Sequence, residues 1–385
     1  MDHATRARPR NRRALIVAAA TDLMYRHGYD DLGMSDFAKA VEIGPSALYR
    51  HFTGKQDLLR EVIATSLAPV RDLLAGLDPH DPSAVRAMAS LALEHRHVGV
   101  CWQREARNLA PADLATLRNE VREIGRLFTG YVLAVRPGLS APTADLLASS
   151  ALAVLTSISF HRLDLPRPQY DEELAGLVAT VVGVPLPGTI TPAAREERPR
   201  LIPHSRREAF LAEATRRFAT HGYPGVSMED VGAALGLSGQ SIYKHFPAKR
   251  DLLTTAFDRG VAVLFAGIAT ICDTAPTPAD ALRALIRAYL TFALDHHHLV
   301  GLMITELRHL DDAHRHSTRQ AQHDYISEWV HLLREVHPGL DATTARIRVQ
   351  ATLSVMNNIA RTPHLCRAVG IVPVLTGLCE PLLLG

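Results

Sequence analysis

Residues 206–253 read RREAFLAEATRRFATHGYPGVSMEDVGAALGLSGQSIYKHFPAKRDLL, and residues 12–59 read RRALIVAAATDLMYRHGYDDLGMSDFAKAVEIGPSALYRHFTGKQDLL. The two segments align without a gap, so that Gly28 meets Gly222 at an offset of 194 residues. Both copies contain Gly-Tyr near the middle and end in Tyr-x-His-Phe-x-x-Lys-x-Asp-Leu-Leu. A match of this length and spacing is an internal repeat, and the chain therefore contains two copies of one unit.

The second copy has the pattern of three short helices. Apolar residues recur at helical spacing from Phe210 to Phe218, and Gly222 stands where a C-terminal cap belongs. Ser227 can accept the free amides of a second helix, and Gly236 permits a sharp turn before a short third helix. This order predicts a helix-turn-helix unit, which places the start of its last helix in the major groove of DNA.

The third helix of each copy supplies the predicted DNA contacts. Its exposed side chains would meet base edges, and the residues around them would meet phosphates, while Phe52 and Phe246 are expected in the core. A solvated surface is the rival interpretation for the lysines and histidines. Base contacts are predicted at Ser46, Ala47, Arg50, Gln240, Ser241 and Lys244, and the full set adds Pro45, Tyr49, His51, Lys55, Ser227, Gly239, Tyr243, His245 and Lys249. Because the two base-contacting sets differ, we predict an operator with two unlike half-sites.

These motifs resemble the DNA-binding domain of the TetR family of bacterial regulators, and they occur twice. The resemblance rests on Gly-Tyr, on the Ser-Met-x-Asp turn and on the Tyr-x-His-Phe ending with its Lys and Leu-Leu. The first copy departs from the pattern, because Gly33 replaces the capping serine or threonine and Glu42 replaces the turn glycine. Gly44 and Pro45 still suit the start of a helix. We expect both copies to fold, and the departures bear on the DNA affinity of the first.

A weaker repeat at an offset of 201 residues aligns Glu105 with Glu306, and Arg136-Pro-Gly-Leu with His337-Pro-Gly-Leu. Between the halves, a segment rich in proline and charge predicts a stiff linker with reach. The predicted domains are 1–60 and 205–255 as helix-turn-helix domains, 61–184 and 256–385 as helical effector and dimerisation domains, and 185–204 as the linker.

Helical periodicity continues through both halves without a competing strand pattern, so the predicted fold class is all-α. Ser150 and Val154 recur at a spacing of four residues, and Ala351 and Val355 repeat that pattern in the second half. Family members generally dimerise through their last two helices. The resemblance therefore implies an intramolecular pseudo-dimer, which is a monomer in solution, with higher oligomers left open.

The resemblance also implies a small effector inside the helical bundle, lipid-like or drug-like, whose binding lowers DNA affinity. Nothing in the sequence chooses among such compounds. For every apolar candidate, ordinary core packing is the alternative. The candidate lining residues are Met88, Trp102, Phe128 and Tyr131 in the first half, and Phe292, Met303, Tyr325 and Trp329 in the second.

The composition is that of a globular protein of 385 residues, with 47% apolar and 21% charged residues. A net charge of +2 is too small to predict DNA binding by itself, although arginines cluster before residue 14 and from Arg195 to Arg207. The four cysteines are scattered without a Cys-x-x-Cys pair, which favours neither a disulfide framework nor a zinc site. We expect no apolar span of about 18 residues, hence no membrane segment and a cytoplasmic protein.

Cofactor, metal and enzyme functions are not predicted. The histidine run at 296–298 does not favour a metal site, because consecutive helical residues point in different directions. Glu105 and Glu306, each close to arginines in sequence, suit ion pairs better than catalysis, and no catalytic motif is present. The prediction is a transcription regulator, most simply a repressor. The alternative is a ligand-binding or interaction protein in which DNA binding has degenerated in one or both halves.

Overall fold

The structure, a computed structural model, describes residues 11–193 and 201–385. The arginines before residue 11, those at 195–200 and the corresponding part of the predicted linker lie outside the described residues. Among the described residues there is no β-strand, and Thr191 and Val369 form an isolated antiparallel bridge. The all-α prediction is confirmed.

The first half runs from α1 to α9, with a π-helical turn at Cys101–Glu105 and a 3-10 turn at Ala106–Asn108 after α6. The helices are α1 Arg12–His27, α2 Met34–Ala40, α3 Pro45–Leu48, α4 Lys55–Gly76, α5 Ala84–Glu94, α6 Val98–Val100, α7 Pro111–Val135, α8 Ala141–Ser157 and α9 Gln169–Gly183.

The second half repeats this order from α10 onward. Its helices are α10 Arg206–His221, α11 Met228–Ala233, α12 Gly239–Ile242, α13 Lys249–Thr274, α14 Pro278–Asp295, α15 His297–Thr305, α16 Asp312–Val336, α17 Ala342–Ala360, α18 Pro363–Cys366 and α19 Ile371–Leu384. Helices α7 and α16 both have 25 residues and start 201 residues apart, as the weaker repeat predicts. Thus the two halves share one architecture.

The halves pack against each other through α8 and α9 of the first and α17 and α19 of the second. Ser150 and Val154 on α8 are fully buried, as are Ala351 and Val355 on α17. The small side chains of Ser150 and Ala351 let the two central helices approach closely. Burial of the apolar side chains of Val154 and Val355 stabilises the contact. The two halves therefore pack as the predicted intramolecular pseudo-dimer, while the monomeric state in solution stays a prediction.

The start of the predicted linker packs against the second half instead of spanning free space. Ile190 is buried, and Thr191 exchanges backbone hydrogen bonds of 2.9 and 3.2 Å with Val369. Pro187 packs closely on Gly377, because a Cβ atom added at Gly377 would lie 2.7 Å from Cδ of the proline ring. This part of the chain is therefore a strap along the second half, and the expectation of a free spacer is wrong for it.

Two helices are long and apolar enough to cross a membrane, Ala141–Phe160 and Lys249–Thr274, contrary to the expectation that no such span exists. The apolar window of the first is 72% buried and that of the second 39% buried. The first belongs to the bundle between the halves and the second runs from the second helix-turn-helix domain into its bundle. Core helices of globular proteins have the same length and hydropathy, so these spans are weak evidence for a membrane protein.

Candidate DNA-binding surface and ligand cavities

The first helix-turn-helix unit folds despite its two departures from the motif. Helix α2 starts after Gly33, whose N–H donates to Asp36 Oδ2 at 2.7 Å, so half of a capping box remains. Glu42 occupies the turn with φ of 52°, and it is the one non-glycine residue with positive φ among the described residues. An L-residue with a side chain is strained in this left-handed region. The turn therefore forms at an energetic cost that the second unit avoids.

The second unit has the complete local chemistry. Ser227 Oγ accepts the N–H of Asp230 at 3.0 Å, and Asp230 Oδ2 accepts the N–H of Ser227 at 2.8 Å. Gly236 takes the turn position with φ of 68°. Ser238 precedes α12, but its side chain forms no capping hydrogen bond, contrary to expectation. Helix α12 instead depends on burial of Ile242 and on Phe246, which follows it.

The predicted DNA contacts fall into an exposed group and a half-buried group. Tyr49 and Tyr243 are 54% and 48% exposed, so both phenol rings are accessible from solvent. Ser241 was expected to be exposed, but it is half-buried and its Oγ donates to Ser238 O at 2.7 Å. The exposed group is Pro45, Ser46, Tyr49, Arg50, Ser227, Gln240, Tyr243 and Lys244, and the half-buried group is Ala47, His51, Lys55, Gly239, Ser241, His245 and Lys249.

The two motif lysines lie against aromatic rings. Lys55 Nζ is 3.9 Å from the centroid of the Tyr29 ring, and Lys249 Nζ is 4.2 Å from that of Tyr223. Burial lowers the pKa of both lysines. Because a cation over a ring keeps its hydrogen-bond donors at its outer side, these contacts hold each lysine at the start of α4 or α13 while leaving it able to meet a phosphate.

Sequence reasoning missed Arg13 and Arg207 as structural partners of the reading helices. The guanidinium of Arg13 lies 4.3 Å from the Phe52 ring centroid, and that of Arg207 lies 4.7 Å from the Phe246 ring centroid. Arg13 Nη1 also donates to His51 O at 2.6 Å. The signal was present, since both arginines are identical in the repeat.

A cavity of about 1070 Å³ occupies the bundle of the first half, and we refer to it as the first-half cavity. Of the four lining candidates there, Met88, Trp102 and Phe128 line it. Tyr131 does not. It is buried beside Phe128, with ring centroids 5.8 Å apart, and belongs to the core.

The lining of the first-half cavity is completed by the second half, which contributes Asn358 on α17 and Leu365 on α18. Ile190 of the strap also lines it. The cavity volume is at the upper end of the usual range for small-molecule sites. A ligand here would touch both halves of the chain.

A second cavity of about 520 Å³ lies between the halves, and we refer to it as the seam cavity. Met303 and Tyr325 line it, whereas the other two candidates of the second half, Phe292 and Trp329, do not. Both are buried against Tyr289, at ring-centroid distances of 6.0 and 6.2 Å. For Phe292 and Trp329 the core interpretation is therefore the correct one.

Reciprocal ion pairs cross between the two halves, and each buried glutamate in them also holds the helix-turn-helix unit of its own half. Glu306 is fully buried, pairs with Arg107 of the first half and accepts the Tyr223 N–H at 3.3 Å. Glu105 is also fully buried, accepts the Tyr29 N–H at 3.0 Å and lies 3.9 Å from Arg308 Nη1 of the second half. We call these pairs the crossed latch.

The crossed latch also contacts the Gly-Tyr motif directly. Arg308 Nη2 pairs with Asp30 at 2.5 Å, and a Cβ at Gly28 would come within 2.8 Å of Arg308 Nη1. Gly28 has φ of 84° as well, so glycine is required here twice over, by conformation and by close approach. Burial, followed by the nearby charge of Arg308, lowers the pKa of Arg107 to about 10. Arg107 consequently stays charged at neutral pH.

Comparison with known proteins identifies these units. A family model described as bacterial regulatory proteins, tetR family, matches residues 16–62 and again 210–256. A second model, Tetracyclin repressor-like, C-terminal domain, matches residues 275–361. The chain belongs to the TetR family. Its two TetR-like halves are joined in one polypeptide, as the repeat predicts.

Curated relatives of this TetR-family chain are transcription regulators. It is 27% identical over 135 residues to the HTH-type transcriptional repressor KstR2 of Mycolicibacterium smegmatis, which covers 34% of this chain and 65% of that protein. It is 28% identical over 106 residues to the HTH-type transcriptional activator FasR of the same organism, which covers 27% of this chain and 48% of that protein. The chain thus spans between about half and two thirds of the length of these relatives.

Two similar solved structures are named as TetR-family transcriptional regulators. The regulator PfmR from Thermus thermophilus has a TM-score of 0.40 at 23% identity, covering 46% of this chain and 97% of that one. A regulator from Bordetella parapertussis has a TM-score of 0.45 at 18% identity, covering 48% of this chain and 96% of that one.

The histidines of this TetR-family chain form no metal-binding group among the described residues, where no cluster of three or more suitable ligands is found. His95 and His97 have ring centroids 5.7 Å apart, and His297 and His298 are 4.1 Å apart. Burial, followed by the charge of His95, lowers the pKa of His97 to about 4, so its ring is neutral at pH 7.

Proposed function

We propose that this chain is a cytoplasmic, sequence-specific DNA-binding transcription regulator that works as a single-chain pseudo-dimer. The observation that carries the proposal is the pair of exposed reading surfaces, each at the start of one half and each built on the same helix-turn-helix pattern. The relatives KstR2 and FasR, named as a transcriptional repressor and a transcriptional activator, support it. Double-stranded operator DNA is the proposed partner, and no catalytic step is required.

The operator has two unlike half-sites. At equivalent exposed positions the first unit has Ser46 and Arg50, and the second has Gln240 and Lys244. Arginine suits bidentate recognition of guanine, whereas glutamine suits adenine, so the two helices prefer different bases. The symmetry of a homodimer favours a palindromic operator, whereas two different reading units in a single chain do not require one.

Repression ends when a small apolar effector enters the first-half cavity. Trp102 and Gln103 line that cavity and lie on the π-helical turn Cys101–Glu105. This turn ends in Glu105, which accepts the Tyr29 N–H of the first reading unit at 3.0 Å. A ligand that displaces the turn moves the reading unit with it, and its differential affinity for the two arrangements lowers DNA affinity.

The experiment that tests this function begins with selection of bound sequences from random DNA by the purified chain. The best site is then footprinted for the wild type, Arg50→Ala and Lys244→Ala at stated salt. We expect two unlike half-sites about one helical turn apart, each losing protection with its own variant. Loss of the whole footprint with either variant, or preference for a perfect palindrome, contradicts the asymmetric operator.

A specific observation supports a second candidate, in which only the second unit binds DNA and the first half serves ligand binding. The strained Glu42 and the incomplete cap at Gly33 both lie in the first unit. Under this alternative a single half-site is selected, and Arg50→Ala leaves DNA binding unchanged. If no sequence is selected at all, the chain is a ligand-binding protein without operator DNA.

A further inference from the structure

We propose that the seam cavity is a second ligand site, and that it binds an organic anion carrying a compact apolar or aromatic group. Five arginines line this cavity, namely Arg26, Arg104, Arg162, Arg308 and Arg319. No aspartate or glutamate is among its lining residues in the described part of the chain. A concave site lined by one sign of charge concentrates ligands of the opposite sign.

Two of the five arginines are available to a ligand. Arg26 pairs with Asp22 at 2.8 Å and Arg104 with Glu105 at 2.5 Å. In contrast, Arg162 and Arg319 are exposed and have neither an ion pair nor a side-chain hydrogen bond to any described residue. One of them comes from each half, so the free positive charge is concentrated where the halves meet.

Buried polar atoms at the same cavity also lack partners. His161 Nε2 and Arg308 Nε are buried without a hydrogen-bond partner among the described residues. Burial, followed by the charges of Arg96 and Arg346, lowers the pKa of His161 to about 4. Its Nδ1 accepts the N–H of Leu163 at 3.2 Å, so Nε2 carries the proton of the neutral ring and is a donor. An anion would supply acceptors that the protein itself does not.

The remaining wall of the cavity is apolar and aromatic. Phe265, Tyr289 and Tyr325 line it, and the rings of Phe265 and Tyr325 are 6.0 Å apart in a T-shaped arrangement. The Tyr289 hydroxyl is satisfied by Asn357 Oδ1 at 2.8 Å, which fixes that ring. A volume of about 520 Å³ with a rigid aromatic wall suits a compact ring or short acyl group, with the charged end towards the arginines.

The repeat shows that the aromatic wall of the seam cavity is specific to the second half. Tyr289 stands where the first half has Met88, and Tyr325 where it has Ile124. These larger side chains reduce the space available in the second half. Arg319 is equivalent to Arg118, but Arg319 lines the seam cavity whereas Arg118 lines neither cavity. The site goes beyond the proposed function, which requires only the first-half cavity.

Occupation of the seam cavity would act on the crossed latch. Arg308 lines the cavity and also pairs with Asp30 of the first reading unit at 2.5 Å. A bound anion competes with Asp30 for this guanidinium, because both are acceptors for the same donors. The seam ligand would therefore loosen the first reading unit and leave in place the second, whose Tyr223 N–H is held by Glu306 and its partner Arg107.

Two fluorescent probes that differ in charge test the site. The anion is 1-anilinonaphthalene-8-sulfonate, and N-phenyl-1-naphthylamine is its neutral analogue without the sulfonate. The test variant is Arg162→Gln with Arg319→Gln, and the charge-matched control is Arg118→Gln with Arg287→Gln, at exposed positions outside both cavities. Gly125→Leu narrows the first-half cavity, because Gly125 lines it and a Cβ there meets nothing within 4 Å.

We expect the test variant to weaken binding of the sulfonate by about tenfold or more, since two charge-assisted contacts are lost. Its binding of the neutral probe and the sulfonate binding of the control variant should change less than about twofold. Gly125→Leu should weaken the neutral probe and leave the sulfonate unchanged. Absence of saturable sulfonate binding, equal losses in test and control variants, or loss of both probes together in Gly125→Leu overturns the proposal. No DNA is used, so this result is independent of the operator experiment.

Discussion

Replacing Arg107 with methionine removes the cation that faces the buried Glu306 carboxylate from the other half. Among the described residues Arg107 is its one charged partner, because burial, followed by the charges of Arg308 and Arg107, lowers the pKa of His309 to about 4 and leaves that ring neutral. Glu306 would retain the Tyr223 N–H at 3.3 Å and Thr305 Oγ1 at 3.0 Å. Removing one partner of a buried pair costs about 3–5 kcal/mol. Since the Arg107 side chain is 23% exposed, we expect a loss of about 3 kcal/mol.

The equivalent change at Arg308 should cost much less, despite the repeat. Glu105 keeps Arg104 Nε at 2.5 Å and loses only a contact of 3.9 Å to Arg308. Asp30 loses its ion pair, but its side chain is 35% exposed and water replaces the lost partner. Pairs of this kind contribute up to about 1 kcal/mol, which is the loss expected for Arg308→Met.

Urea unfolding followed by circular dichroism measures both losses. With a slope of about 3 kcal/mol per molar urea, Arg107→Met lowers the midpoint by about 1 M and Arg308→Met by about 0.3 M. Glu306→Gln should recover most of the loss in the Arg107→Met background, because an amide oxygen still accepts the Tyr223 N–H without a buried charge. Equal losses for the two arginines, or no recovery in the double variant, would refute this account of the crossed latch.

Three further predictions concern single residues. Glu42→Gly should stabilise the first reading unit by about 0.5–1 kcal/mol, because relief of the left-handed strain exceeds the added entropy of the unfolded chain. We expect slower hydrogen exchange of the α2 and α3 amides in this variant, and faster exchange would contradict the prediction. His161 has a folded pKa of about 4 against 6.5 unfolded, so the unfolded chain binds more protons between these values and stability falls as pH drops through that window. In His161→Asn the loss between pH 7 and pH 5 should shrink by up to about 1.4 kcal/mol per pH unit, and an unchanged pH profile of urea midpoints counts against this assignment. Lys244→Gln should cost about 1–3 kcal/mol at one half-site and leave protection of the other unchanged in a footprint, whereas uniform loss across sequences would make it a phosphate contact.

The reading units could be predicted from the sequence because their chemistry is local. Turn glycines, caps and helical spacing act within a few residues, and the repeat supplied an internal control for each of them. Even the departure at Glu42 was visible, since Gly236 occupies the same place in the other copy. Ser238 and Ser241 were the exceptions, because Ser238 forms no capping hydrogen bond and Ser241 Oγ donates back to the Ser238 carbonyl.

The cavities could be predicted only in outline. Met88, Trp102 and Phe128 line a cavity, but Tyr131, Phe292 and Trp329 are core residues. Large apolar residues on one helical face pack either against each other or around a cavity. The periodicity of apolar residues in the sequence is the same in both cases, so it cannot distinguish them. The choice depends on the shape of neighbouring helices, to which the other half and the strap also contribute.

The crossed latch shows a different limit. The sequence placed Glu105 near Arg104 and Arg107, and Glu306 near Arg308, and it predicted ion pairs without choosing their partners. In the structure Arg104 pairs with Glu105 within its half, whereas Arg107 and Arg308 turn to the opposite half. Side chains two residues apart on a helical turn point to different sides, so the glutamate and the second arginine after it do not face each other. Their pairing across the seam could be predicted only once the arrangement of the two halves was known.

A single chain allows the two halves to diverge in a way that a homodimer does not. In a symmetric dimer each substitution appears twice, so a change that strains one reading unit or narrows one cavity does the same to the other. Here Glu42 is strained in one unit while Gly236 is relaxed in the other, and Ile124 lines a wide cavity while Tyr325 lines a narrow one. The latch diverges as well, because Arg107 is essential to Glu306 whereas Glu105 keeps Arg104. The unequal operator half-sites and unequal ligands that we propose are therefore consequences of the same covalent connection.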